Sequence, residues 1–311
     1  MNTRTKTVTP DSHFDSSQNA ILALEAKRES RIFCFIEGAQ HHISQPAFDE
    51  IYQRRAEFKN IKTLEVLIHS DGGHANTAYK IAKFFRGRCQ TFNVIVPFKA
   101  KSAATLMCLA ADGIYLSEFA ELGPIDVQVT DYLERGAQQF SPLDEFKSLE
   151  FLREYAVESL DYFTGLLLQR SGMSIKEALR ESIPCITTML RPMYEKIDPM
   201  KFGEHRRMLS EGEEYAKRLL RLAQHPDYDE IAAKLVENYP VHDFFIDRQE
   251  ASDALGLPIK ELDSNEFEIL QSLLLLAHEG FYGFVKQRKP VAAKKRAAPQ
   301  KKLAVVTKAT A

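Results

Sequence analysis

Two short stretches of this 311-residue chain combine residue types that could do chemistry: Ser70-Asp71-Gly72-Gly73 and, about thirty positions on, Lys101-Ser102-Ala103-Ala104. Ser102 offers a hydroxyl nucleophile. Gly72 and Gly73 let a main chain come close to a bound group, because they carry no β-carbon. Together these parts suit acyl transfer. Ser102 Oγ would attack a carbonyl while the N–H groups of Ala103 and Gly73 converge on the oxyanion, each such donor being worth about 3 kcal/mol. Each feature also has a plainer use: a serine opening a helix is an ordinary N-cap, and a glycine pair an ordinary turn.

The elements around these stretches are those that would bring them together. Leu64-Glu-Val-Leu-Ile68 is a short β-favouring run, and a helical pattern follows through Ala75, Ala78, Ile81, Ala82 and Phe85. Val94-Ile-Val-Pro97 repeats the strand signal, followed by an apolar helical segment from Ala103 to Ala111 that stops at Asp112-Gly113. Strand, helix, strand, helix predicts right-handed parallel crossovers. Both corners then fall at the carboxyl ends of adjacent strands, where open α/β sheets place their sites, with Ser102 at the positive end of a helix.

Ser70-Asp-Gly-Gly73, Ala100-Lys-Ser-Ala-Ala-Thr-Leu106, Ala110-Ala-Asp112 and Glu121-Leu-Gly-Pro-Ile-Asp126 resemble the serine dehydrogenase proteinase family, in the Clp protease/crotonase superfamily and related to signal peptide peptidase A. The likeness is strong over residues 32–129, with a weaker echo around Tyr239-Pro-Val-His242 and Ala254-Leu-Gly-Leu-Pro258. It implies an α/β fold with a Clp/crotonase-like repeated ββα core, a parallel sheet and a helix-rich second portion. It further implies a serine peptidase acting on peptides or proteins, self-association into a homo-oligomer, and no cofactor or metal. The Clp order of Ser, His and Asp is not met, since no histidine lies between His74 and His205. The Ser-Lys dyad of the signal peptide peptidases, carried onto this chain, makes Lys147 the base, as the first lysine after Ser102. Such a lysine needs its pKa lowered well below about 10.4. The neighbours Asp144, Glu150 and Glu154 pull the other way.

Beside that pair, His74 lines the pocket or acts as an alternative base, Lys101 partners a carboxylate or solvent, and Asp112 and Asp126 hold loops or polarise a base. Two other classes stay open: a noncatalytic assembly or recognition protein of the same fold, and crotonase-type acyl-CoA chemistry on the same two corners. A GxGxxG dinucleotide fingerprint is missing, so dehydrogenase activity is not carried over.

Composition gives the outer organisation. With 44% hydrophobic residues, the chain can bury a substantial core. Net charge is −2 but uneven: from Lys286 onward there are nine Lys/Arg and no Asp or Glu, leaving 32 basic against 43 acidic groups before it. That tail allows weak, salt-sensitive nucleic-acid contact. No apolar run reaches the roughly 18 residues of a membrane span and the N-terminus lacks an apolar signal core, so a cytoplasmic protein off the membrane is expected. Cys34, Cys89, Cys108 and Cys185 form no CxxC pair and read as buried free thiols.

The domain division expected is a disordered polar stretch over 1–18, a catalytic core over 19–130, a helical portion over 131–285 that completes the core and makes oligomer contacts, and a disordered basic tail over 286–311. Within the helical portion, Ser174 and Glu177 form a capping box, whereas Pro184, Pro192 and Pro199 interrupt the helices. His242 to Ile246 reads as a strand, Arg248 to Leu255 as a helix, and a last helix capped by Asp263 runs to Val285.

Overall fold

The computed structural model describes residues 10–38, 41–125, 129–131, 138–276 and 280–285. Asp126 and the basic stretch from Lys286 lie outside the described residues. In chain order the first half comprises α1 (Pro10–Arg28), β1 (Arg31–Ile36), α2 (Gln45–Gln53), β2 (Thr63–His69), α3 (Ala75–Arg86), β3 (Thr91–Val96), β4 (Lys99–Ala100), α4 (Ala103–Cys108), β5 (Gly113–Leu116), β6 (Glu121–Leu122), β7 (Val129–Asp131) and β8 (Gln138–Phe140). There follow α5 (Pro142–Ser171), α6 (Ile175–Tyr194), α7 (Pro199–Leu222), α8 (Tyr228–Glu237), α9 (Arg248–Asp253), β9 (Ile259–Glu261), α10 (Ser264–Leu276) and β10 (Phe281–Phe284).

Six strands form the main sheet in the order β10-β1-β2-β3-β5-β9. All neighbours pair in parallel except β10, which runs antiparallel along β1, with Phe35 opposite Tyr282. This mixed α/β architecture with its mostly parallel sheet and helix-rich second half is the one the sequence implied. The strands read as continuous apolar runs because both faces are covered. Alternation sorts them: Phe33, Phe35, Val66, Ile68, Val94 and Val96 face a core shared with α2, α3, α4, α7 and α8, while Ile32, Cys34, Leu67 and Ile95 face α1 and α10. On the second face sits one buried charge, Glu65, 2% exposed. Arg28 from α1 grips both its oxygens, at 2.6 and 2.7 Å, and reaches Glu266 of α10 at 2.8 Å. Two helices are thereby tied to the middle of the sheet by one bidentate pair.

Several expectations are corrected. The first helix begins at Pro10, within the stretch read as a disordered N-terminus. α4 ends at Cys108 rather than Ala111. Pro184 and Pro192 lie inside α6, which is held by the Ser174–Glu177 capping box and by burial of Ala178, Ser182, Ile186 and Leu190, so they do not end it. His242 to Ile246 contributes only a bridge from Ile246 to Leu122. The last helix is described as far as Leu276, and Phe281–Phe284, expected within it, form β10 instead. The four cysteines are free, but Cys185 is exposed. Among the described residues no helix is long and apolar enough to cross a membrane.

Candidate active site

The ends of β2 and β3 are stitched together beyond the sheet. Ser70 N–H donates to the Lys99 carbonyl at 3.2 Å, and Lys101 N–H donates to the Ser70 carbonyl at 3.0 Å. β4 then pairs in parallel with β6. Thr105 Oγ1 fastens this small second layer, donating to the Ala100 carbonyl at 2.6 Å and accepting from Gly123 N–H at 3.0 Å. Gly123, in the Glu121-Leu-Gly-Pro segment, must be small, since a β-carbon there would lie 3.4 Å from Ser102 N and closer still to Lys101.

Gly72 and Ser102 are in direct contact. A β-carbon added to Gly72 would sit 3.0 Å from Ser102 Cβ, 3.1 Å from Ala103 N and 2.8 Å from the Lys101 carbonyl oxygen. Gly72 and Gly73 have φ of 108° and 147°, a region that side chains rarely adopt. Gly73 bridges to Ile43, whose N–H donates to the Gly72 carbonyl and whose carbonyl accepts from His74 N–H, both at 2.8 Å. Among the described residues, the Gly73 and Ala103 N–H groups donate no hydrogen bond.

Ser102 does not act as an N-cap. It precedes α4 with φ 49° and ψ −117°, and its side chain makes no cap hydrogen bond. A non-glycine residue in such a conformation costs roughly 1–3 kcal/mol and clusters at functional sites. Ser102 is partly exposed, whereas Ala103 and Ala104 behind it are buried.

The other sequence candidates occupy distinct places. His74 is exposed at the start of α3, its ring 5.9 Å from that of His42. Lys101 is a carboxylate partner: its Nζ lies 2.8 Å from Glu121 and donates to the Phe244 carbonyl at 3.2 Å. Asp112 supports a loop, accepting from Arg86 and from Phe92 N–H at the opposite end of β3. Lys147 lies on α5 with its side chain 57% exposed and its Nζ 3.8 Å from Glu150. Two residues before it, Glu145 binds His205 of α7.

Sequence reasoning missed the polar groups behind the diglycine corner. Glu37, at the end of β1, is buried and accepts from Ser70 Oγ and from Tyr282 OH, the latter at 2.9 Å. Ser70 Oγ in turn accepts from Gly72 N–H at 3.0 Å. Burial pushes the Glu37 carboxyl up to about 7 against the pull of the two hydroxyls, with Asp71 adding a smaller upward push. A lone glutamate in Ile36-Glu37-Gly38 gives no hint of partners 33 and 245 positions away.

With two corners in contact, an uncapped strained serine and two free amides, the resemblance gains a structural basis. Residues 16–138 match the ClpP-like SDH-type serine proteinases. That segment contains both corners and the strands that carry them. Two uncharacterised proteins of Methanocaldococcus jannaschii are also similar: one is 42% identical over 71 residues, 23% of this chain and 25% of the relative, the other 35% identical over 69 residues, 22% and 24%. The matched part thus spans about a quarter of those relatives. Among solved structures, a membrane-bound stomatin-specific protease gives a TM-score of 0.29 at 15% identity, over 48% of this chain and 69% of that one. Methylmalonyl-CoA decarboxylase gives 0.28 at 11% identity, over 68% and 96%.

Proposed function

We propose that this chain is a serine peptidase in which Ser102 is the nucleophile. The observation that carries the reading is the strained, uncapped Ser102 lying against Gly72, with the N–H groups of Ala103 and of Gly73, the residues that follow these two, donating no hydrogen bond among the described residues. A strained strand-to-helix turn is a known way to hold a serine hydroxyl out of its helix and toward substrate. Ser102 Oγ adds to the scissile carbonyl of a peptide and its proton passes to the base. The carbonyl oxygen becomes an oxyanion held by Gly73 and Ala103 N–H, and their contribution grows as charge develops. Collapse expels the amine, which takes the proton, and water repeats the sequence on the acyl-serine. His74, exposed beside Gly73, lines the substrate side.

Lys147 is the proposed base, and its setting adds a condition. Its side chain is exposed and its Nζ lies 3.8 Å from Glu150, so its service as base rests on a cover over α5 that excludes water. A second copy of this chain is the proposed cover. α5 and α6 enclose an apolar groove of about 680 Å³ lined by Ala156, Leu160, Ile183, Ile186 and Leu190. The same hairpin projects Phe151 and Tyr162, which a two-fold partner can accept while offering its own. The test is turnover of an unstructured protein substrate. Ser102→Ala lowers kcat by at least about a thousandfold, and Lys147→Ala by a comparable factor without unfolding the chain. Wild-type turnover in Ser102→Ala rejects the nucleophile, and wild-type turnover in Lys147→Ala rejects the base.

A further inference from the structure

The polar groups behind the diglycine corner take no part in the reaction above, yet they form a continuous path into it. Tyr282 comes from the antiparallel edge strand β10, Glu37 follows β1, and Ser70 follows β2. Tyr282 OH donates to Glu37 Oε1, Ser70 Oγ donates to Glu37 Oε2, and Gly72 N–H donates to Ser70 Oγ. Gly72 is the residue at which a β-carbon would collide with Ser102 and Ala103. Glu37 is 7% exposed and Ser70 1%, so water competes little for these bonds.

A buried carboxylate usually has a cationic partner, as Glu65 has in Arg28. Among the described residues Glu37 has two hydroxyls instead. An ionised carboxylate only accepts, so it fixes both hydroxyl protons toward itself and leaves the Ser70 oxygen facing Gly72 N–H. A protonated carboxyl must donate. Giving its hydrogen to Ser70 Oγ turns the serine proton away from its acceptor, and giving it to Tyr282 turns that hydroxyl instead.

We infer that Glu37 is a positioning residue for the oxyanion corner: as a carboxylate it locks Gly72 through Ser70, and on protonation the corner loosens. Its effect on rate rests on the reading of Ser102 as nucleophile, whereas its effect on Gly72 does not. The carboxyl sits at about 7, so the change falls at neutral pH. Other charged and titratable groups pack around it, and Glu37→Gln separates its change from theirs. Asp71 is exposed and held by Lys99, burial and Lys99 keep the His69 imidazole below its usual range, Glu50 acts from α2 on Tyr282, and His41 lies beside Gly280.

The experiment follows two readouts from about pH 5.5 to about 8.5, bracketing the Glu37 value. One is the rate at which a fluorophosphonate labels the full-length protein, the other the hydrogen exchange of the Gly72 amide, corrected for its intrinsic pH dependence. In the wild type, labelling rises by tens-fold through about pH 7, the scale of a slightly misplaced catalytic group, and Gly72 exchange slows over the same range. Glu37→Gln removes both transitions, and Tyr282→Phe, which takes one donor from the carboxylate, moves both to higher pH. Melting curves establish that the variants are folded; were Glu37→Gln to unfold, the Tyr282→Phe shift decides. A Gly72 exchange transition that is identical in wild type, Glu37→Gln and Tyr282→Phe overturns the inference. Labelling that persists in Ser102→Ala instead defeats the peptidase reading and leaves the exchange result to judge Glu37.

Discussion

The positive φ of Ser102 and the close approach of Gly72 depend on each other. In the proposed site, moving either residue by the width of a methyl group would separate the hydroxyl from the two amides. Gly72→Ala places a methyl 2.8 Å from the Lys101 carbonyl at a φ of 108°. It is expected to destabilise the fold by roughly 1–3 kcal/mol and to cut peptide turnover by at least about a hundredfold, measured by urea unfolding and initial rates. Glu37 gives a second outcome at this scale. Its folded pKa, about 7, is raised above the ordinary 4.5, so between these values the folded chain holds a proton that the unfolded chain has lost. Its contribution to stability is full below about 4.5 and is lost as pH rises through about 7. Urea midpoints should show this decline in the wild type and a flatter profile in Glu37→Gln, so stability and the locking of the corner move in opposite directions with pH.

At the scale of elements, the Arg28–Glu65 pair holds α1 to the centre of the sheet and extends to Glu266 on α10. Arg28→Ala leaves Glu65 buried without its cation and is expected to cost about 3–5 kcal/mol, whereas Arg28→Met with Glu65→Leu should recover most of that loss. Denaturant unfolding of the three proteins checks both. The strands β2 and β3 were legible because each is a short apolar run ended by a turn, and α3 because its apolar spacing is helical. β10 was not: Phe281-Tyr-Gly-Phe284 has a glycine in it, is four residues long and exists through its pairing with β1. Likewise the corners could be read from local residue types, but Glu37, Ser70 and Tyr282 become a unit only when three distant strand ends meet.

At the scale of the whole molecule, apolar surface is concentrated on the helical hairpin. Phe151, Tyr162 and Ile175 are each more than 60% exposed, and the same two helices carry the groove lined by Ile183 and Leu190. Isolated exposed apolar residues are ordinary, whereas large contiguous apolar patches mark interaction surfaces. If two copies cover it, Val157→Glu with Ile183→Glu should lower the association constant at least about tenfold while leaving the melting temperature of the monomer unchanged. Sedimentation over a range of concentrations reads the first and calorimetry the second. Loss of turnover in step with loss of association would connect the hairpin to Lys147. Unchanged turnover in the dissociated variant would remove that connection.

The central claim is that the hydroxyl at position 102 is an activated nucleophile facing an oxyanion site. Intact-mass spectrometry after fluorophosphonate treatment, with peptide mapping of the adduct, tests it most directly. The account predicts one adduct per chain, carried by Ser102 and missing from Ser102→Ala. An unmodified folded protein, or an adduct on any other residue, would contradict it.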